Sequence, residues 1–527
     1  MTLRFRHLLA LPLLPLATPA LADPPPGLDA KIEALRKQTG APGIAVAIVE
    51  HGKTTLAKGW GVRKLGESAK VDADTIFQTG STGKAFTAAA LAILVDQGKI
   101  GWDDKVIDHM PWFRMYDPWV TREMTIRDLL VHHSGLGLGA GDLLFVPRGS
   151  LSRKETVKRL AFIKPATSFR SGYAYDNVLY TVAGQLIEEV SGRTWEDFVT
   201  REVLKRGGMT DATATYEARW ATPDRAFPHA RIGGAVRGDG PNSVLNEREE
   251  LGRAAMPAGG LALSANDLAQ WLKIQLGHGA LPGGGRLFSE AQAAEMWKGV
   301  TVQPLTPFPG SLAPLTPKFS TYALGWEVED YRGARIISHG GGVFGSITHI
   351  ILLPDQDVGI AVVVNSEEVA LLRGVAHMLV DHYLGVPDQN WPARFGEFMQ
   401  NRVEGGKAAL ASVRAAPAKV GPSLPLERYV GTYRDPWYGD VAVTSATDGL
   451  RIDFKTTPRM AGKLVHWQYD TFVTRFDDKA IEPAYVTFAL DAEGKVARVS
   501  MKAESPIADF SYDYRDLDLR PVPEEKK

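Results

Sequence analysis

The placement of the strands narrows the fold more than any other feature of the sequence. Ile44 to Val49 is a continuous apolar run, His51-Gly52 turns it, and Thr54 to Trp60 reads as a second strand. That is a hairpin. Comparable strands return only much later, over Leu324 to Asp330, Arg335 to Ser338, Ile347 to Leu353 and Val358 to Val364. Turns at Tyr331-Arg332-Gly333 and at Pro354 to Asp357 separate some of them. A long, mostly helical region lies between the two groups. Strands at both ends with helices between predict an α+β unit, in which one antiparallel sheet is completed by both ends of the domain. An amphipathic helix over Leu28 to Thr39 precedes the hairpin, and a helix from Glu367 to about Leu384 closes the unit.

At 527 residues the chain is long enough for more than this one unit. Pro387 to Pro425 holds Gly405-Gly406, an Ala/Lys/Arg-rich stretch and a final Gly-Pro-Ser-Leu-Pro, and reads as a boundary. Beyond it, short strands alternate with Gly/Asp turns such as Asp491 to Gly494. The expected organisation is a leader (1–22), a first domain (23–390), a linker (391–420) and a small all-β, barrel-like domain (421–527). Gly233 to Ala258 and Val302 to Lys318 are rich in Gly and Pro and read as long surface loops.

Composition excludes several classes. Hydrophobic residues at 44% and charged residues at 23% are globular values. A net charge of −1 argues against a nucleic-acid binder held by phosphate neutralisation. The absence of cysteine removes disulfides, thiolate metal sites, cysteine nucleophiles and lipid anchoring through an N-terminal Cys. Arg4, Arg6 and His7 precede the apolar run Leu8 to Leu16, and Ala20-Leu21-Ala22 fits a cleavage site. This is the order of a secretory signal, so the expectation is export, into a bacterial periplasm, with no membrane anchor after cleavage.

Three short motifs carry candidate chemistry. Ser81 and Lys84 lie in Phe77-Gln78-Thr79-Gly80-Ser81-Thr82-Gly83-Lys84, ahead of a strong helix former, Ala85 to Gln97. Spaced i, i+3, they share one face of a first helical turn. Serine is a poor nucleophile without an adjacent base, and a lysine whose pKa is lowered by burial can be that base. Tyr175 and Asn177 follow, opening the helix Val178 to Val190. A phenol near Ser81 can relay its proton, and an amide can orient Lys84 and grip a substrate carbonyl. His339-Gly340-Gly341-Gly342 comes last, after the strand Arg335 to Ser338. Its glycines allow close approach of a ligand to the backbone.

In this order the three motifs resemble those of the serine β-lactamase and penicillin-binding-protein superfamily. The sequence is most similar to the class C β-lactamase-like branch, with its D-alanyl-D-alanine carboxypeptidase, D-aminopeptidase and esterase relatives. Leu129 to Leu136 and Ala258 to Ser264 agree with it, and the resemblance spans about residues 28 to 385. It implies a β-lactamase/transpeptidase-like domain: an antiparallel sheet flanked by helices, with a helical subdomain. It also implies an acyl-enzyme on Ser81, base and acid work by Lys84 and Tyr175, and substrate binding by Asn177, His339, Gly341 and Gly342. The backbone N–H groups of Ser81 and Gly342 would hold the oxyanion. No cofactor or metal is implied, and the partner is a small-molecule or peptide substrate.

His339 stands where β-lactamases usually carry lysine. A histidine near its ordinary pKa of ~6.5 is mostly neutral at pH 7. This favours hydrolysis of an amide or ester, in D-amino-acid peptides or small esters, over dedicated β-lactamase action. A non-catalytic penicillin-binding protein is disfavoured by the intact Ser81/Lys84/Tyr175 set. His132-His133 lacks companion ligands and reads as structural packing, and Trp60, Trp112 and Trp119 read as core or groove wall. Every chemical motif precedes residue 346, so the first domain is expected to be catalytically self-contained.

Overall fold

The computed structural model describes residues 24–248, 251–415 and 418–523. The expected leader, 1–22, lies outside them. The first domain is built on an eight-stranded antiparallel sheet. Its order is Lys53–Gly61, Gly43–Glu50, Val358–Val364, Ser346–Leu353, Ala334–Val343, Glu327–Tyr331, Ser320–Tyr322 and Thr301–Val302. The opening hairpin thus sits beside the late strands, with Ile44 opposite Val364 and Glu50 opposite Val358.

Period-two alternation sends successive residues of these strands into two different cores. Ala45, Ala47, Val49, Ile350, Leu352, Ala361 and Val363 face the helix Ala265–Leu276, and the central helix Lys84–Asp96 lies behind it, with Phe86 stacked on Trp271. Ile44, Val46, Ile48, Ile351, Ile360 and Val362 face the helix Val369–Tyr383, through Leu371, Val375 and Leu379. A sheet covered on both faces explains the near-continuous apolar runs in the sequence. The central helix is apolar almost all round, and every residue from Lys84 to Leu94 is buried, as expected of a helix at the middle of a core.

The second domain is an eight-stranded antiparallel sheet: seven strands in sequence order from Gly431–Asp435 to Val496–Ala503, and Arg520–Pro521 as the eighth, beside the first. A Val499–Leu519 bridge joins its two ends into a nearly closed barrel. Val441, Val443, Leu450, Ile452, Phe454, Phe472 and Phe488 fill the interior.

Three expectations change. The 391–420 stretch is, over Trp391–Ala415, a 25-residue helix; Pro392 stands in its first turn, where a missing N–H costs nothing. His339 to Gly342, expected to follow a strand ending at Ser338, lie within it, because the strand runs over Ala334–Val343. Gly233 to Ala258 is not all surface, because Ala254 to Ala258 are buried in the core. Of the three tryptophans, Trp60 is buried, Trp112 packs on the core and Trp119 is exposed.

Candidate active site

The serine and lysine are set by one local feature. Gly80–Gly83 is a 3₁₀ turn that runs into the central helix at Lys84. Thr79 pins the turn to Leu261 through its backbone N–H, at 3.0 Å. On the other side lies the strand Ala334–Val343. A Cβ on Gly341 would stand 2.0 Å from the Thr79 carbonyl oxygen, so only glycine lets strand and turn approach.

Lys84 Nζ makes three contacts: Ser81 Oγ at 3.1 Å, Asn177 Oδ1 at 2.6 Å and the Ala258 carbonyl oxygen at 3.1 Å. Tyr175 and Tyr180 present their rings at 4.7 and 5.1 Å. Burial pulls the Lys84 pKa down to about 7, against the attraction of Asp142 and Asp176. A neutral amine has two N–H bonds and one lone pair. With both N–H bonds directed to the Asn177 and Ala258 oxygens, the lone pair faces the Ser81 hydroxyl. The arrangement is that of a base ready to take the serine proton.

Tyr175 has the opposite character. Burial raises its pKa well above the ordinary phenol value, and the Ser81 hydroxyl is the hydrogen-bonding group that opposes this. It is a neutral phenol at working pH, suited to pass a proton on and not to act as a phenolate base.

His339 is 3% exposed. Its Nδ1 lies 2.5 Å from the Gly340 carbonyl oxygen and its Nε2 2.8 Å from the Tyr322 hydroxyl. A carbonyl only accepts, so Nδ1 carries the proton and Nε2 accepts from Tyr322. Burial, with the nearby Lys84, lowers the ring's pKa to about 3. Neutrality is thus fixed by the fold and not by proximity of pH to an ordinary pKa.

Ser81, Lys84, Tyr175, Asn177, His339, Gly341 and Gly342 therefore meet in one place. Several residues there had no sequence signal. Asp142 accepts from Asn177 Nδ2 at 2.9 Å, which orients the amide with its oxygen toward Lys84. Its own carboxyl is raised to about 7 by burial. Tyr322 and, from the second domain, Phe510 complete the surroundings, together with Ala258 of the stretch that carried the resemblance; Phe510 stands edge-on to Tyr175 with ring centroids 6.0 Å apart. His132 packs among Tyr173, Tyr175, Tyr180 and Tyr322, while its Nδ1 accepts from the Asp176 N–H. His133 bonds Asp128. No group of three or more metal-binding side chains occurs among the described residues.

A lysine-paired serine at the start of a buried helix, beside an antiparallel sheet, defines a serine hydrolase. The chain belongs to the beta-lactamase family, whose signature matches residues 28–384. Residues 415–521 match a second family, described as a domain of unknown function (DUF3471). The unguisins hydrolase ungD' of Aspergillus campestris is 28% identical over 428 residues, 76% of this chain and 74% of that protein. The octameric penicillin-binding protein homologue from Pyrococcus abyssi shares the fold over 90% of this chain and 97% of its own, at 20% identity and a TM-score of 0.55. A D-amino acid amidase from Ochrobactrum anthropi, solved with L-phenylalanine amide, covers 68% of this chain and 97% of its own, at 20% identity and a TM-score of 0.53.

Proposed function

We propose that this protein is an exported hydrolase that forms a covalent acyl-enzyme on Ser81 and cleaves amide or ester bonds, in peptides containing D-amino acids, without needing a free carboxylate on the substrate. One observation carries the reading: a buried Lys84 whose Nζ stands 3.1 Å from Ser81 Oγ while two carbonyl oxygens, of Asn177 and Ala258, take up its N–H bonds. In the first step Ser81 Oγ attacks the carbonyl carbon and its proton passes to Lys84. The backbone N–H groups of Ser81 and Gly342 take the developing oxyanion. The proton returns through Tyr175 to the leaving nitrogen or oxygen as that bond breaks. Water then repeats the sequence on the acyl-enzyme and frees the acid.

The preference for uncharged substrates rests on His339, neutral and engaged at both ring nitrogens, where a fixed cation would attract a carboxylate. An amino-acid amide, like the ligand of the structurally similar amidase, has no α-carboxylate. The test is a panel of D-amino-acid amides, D-peptides with free and blocked C-termini, p-nitrophenyl esters and a cephalosporin, with intact-mass detection of the adduct on Ser81. Blocked D-peptides or amides should be turned over best. A cephalosporin cleaved orders of magnitude faster than all others would overturn the substrate reading, and an adduct elsewhere would overturn the site.

A further inference from the structure

The second domain does not end at its barrel wall. Between the strand Val496–Ala503 and the final pair Arg520–Pro521, the chain passes over the first domain and touches the site's supports. Ser511 Oγ donates to Asp142 Oδ2 at 2.8 Å, the same oxygen that accepts from Asn177. Asp513 accepts the backbone N–H groups of Gly141 and Leu143, at 2.7 and 3.1 Å. It thereby holds the short turn Asp142–Leu144 on which Asp142 rides. Arg515 donates to the Leu138 carbonyl at 2.6 Å. Gly139 has φ +70° and leaves the space that Phe510 fills; a Cβ there would stand 2.7 Å from Phe510 Cδ2.

An unbroken series of hydrogen bonds therefore runs from the second domain to the nucleophile: Ser511, Asp142, Asn177, Lys84, Ser81. We propose that the 510–513 segment is a working part of the active site, in which Ser511 and Asp513 are positioning residues that orient the base through Asp142 and Asn177. The inference rests on the assignment of Lys84 as base. Its physical content is the polarity of one amide. If Asn177 turned over, its NH₂ would face Lys84, donor against donor. An ionised Asp142 forbids this, because its oxygen would then meet the amide oxygen.

The groups around the pair set the sign of the pH effect. Lys84 faces Tyr175, Tyr180, His132 and His339 as well as Asp142 and Asp176. Asp142 faces Asn177 and Ser511, with Asp509 and Asp513 nearby. The productive form has Lys84 neutral and Asp142 ionised, so both protons must be off. Removing the Ser511 hydroxyl makes Asp142 harder to ionise and leaves the other forms untouched. The acid limb of the rate then moves toward higher pH, or stays; it does not move down.

The test uses the full chain. Ser511→Val and Ser511→Thr have nearly the same shape, and threonine retains the hydroxyl. Ser511→Val, or Ser511→Ala if the former does not fold, should lower kcat about tenfold or more, as expected for loss of a hydrogen bond to a charged group. KM should be little changed and the acid limb of kcat should move up. Ser511→Thr should restore both. A hydroxyl-free variant with wild-type kcat and pH profile would overturn the inference, as would an equal loss in Ser511→Thr. Lys84→Ala measured in parallel separates the two readings: if it retains activity, the base assignment itself has failed, whatever Ser511 does.

Discussion

The two eight-stranded sheets handle their faces in opposite ways, and this decides how each serves the site. The sheet of the first domain is covered on both faces, so its strands and the central helix are locked from two sides. Ser81, Lys84 and Gly341 sit on these elements and take their positions from the core itself. The barrel of the second domain buries one face and leaves the other to solvent, as in Gly449–Phe454, where burial alternates. It reaches the site's supports from loops, chiefly the segment of Phe510, Ser511 and Asp513, with Thr457 Oγ1 donating to the Leu143 carbonyl on the same turn. Positions fixed by packing and positions fixed by hydrogen bonds from a loop should respond differently to substitution, in extent and in pH dependence.

The largest effect belongs to the packed side. Ser81→Ala should reduce turnover to background and abolish the covalent adduct, while the melting temperature stays within a degree or two, because the hydroxyl is small and half-exposed. Wild-type turnover in this variant would remove the basis of the comparison.

Lys84 comes next. Lys84→Ala should slow acylation about 10²–10⁴-fold, the usual worth of a positioned general base. In the wild type, log kcat/KM should rise with a slope above one and level off above about pH 7, as Lys84 and Asp142 both lose their protons. The same burial implies a cost to folding. A lysine whose pKa is lower when folded releases its proton on folding, so the penalty is full below about pH 7 and fades as pH rises toward ~10.4. Lys84→Met should therefore melt higher than wild type at pH 6, by a few degrees, with the gain shrinking by pH 10. A pH-independent difference would show that the lysine is not held neutral by burial.

A cut after Ala415 probes the other region. The buried apolar residues of the two domains form one contiguous cluster, and Asp142 loses Ser511 with the cut. The expectation from motif positions, that the first domain is catalytically self-contained, does not fit this geometry. The shortened chain should label with a serine-directed phosphonate at least tenfold more slowly than the full chain, or fail to stay soluble. Wild-type labelling would show that the second domain's contacts are dispensable.

The same contrast governs what was readable in the sequence. Ser81 and Lys84 were legible because three residues of helix bring them together, and the sheet because both its faces are buried and its strands are long apolar runs. Tyr175, Asn177 and His339 were legible through motif order. Asp142 and Ser511 were not, because they are 369 positions apart and meet only in the fold. Tyr322 lay hidden in a strand of three residues, the second from the sheet's edge. The helix Trp391–Ala415 was obscured by Gly405-Gly406, each glycine costing about 1 kcal/mol of intrinsic helix preference. Gly406 lies against Ile507 of the second domain, so tertiary packing overrides the local signal.

The smallest expected effect concerns His339, and it sharpens the comparison most. From the sequence, a histidine that had to be protonated to hold a carboxylate would give an affinity for anionic substrates that falls as pH rises through ~6.5. The structure removes that step. With its pKa lowered to about 3 by burial and by Lys84, the ring is neutral throughout pH 5–9, and its two nitrogens stay with Gly340 and Tyr322. KM for a carboxylate-bearing D-peptide and for its C-terminal amide should therefore show no inflection near pH 6.5, and their ratio should stay constant within about twofold between pH 5 and 9. His339→Lys should lower KM for the carboxylate-bearing peptide relative to the amide, by several-fold rather than by orders of magnitude. The new ammonium would have to leave the Tyr322 contact and stand near the buried Lys84, whose own pKa it would depress further, shifting the acid limb of kcat/KM downward. A KM step near pH 6.5 in the wild type would mean that His339 exchanges its fold partners for substrate, and that this strand position is governed by the ligand and not by packing.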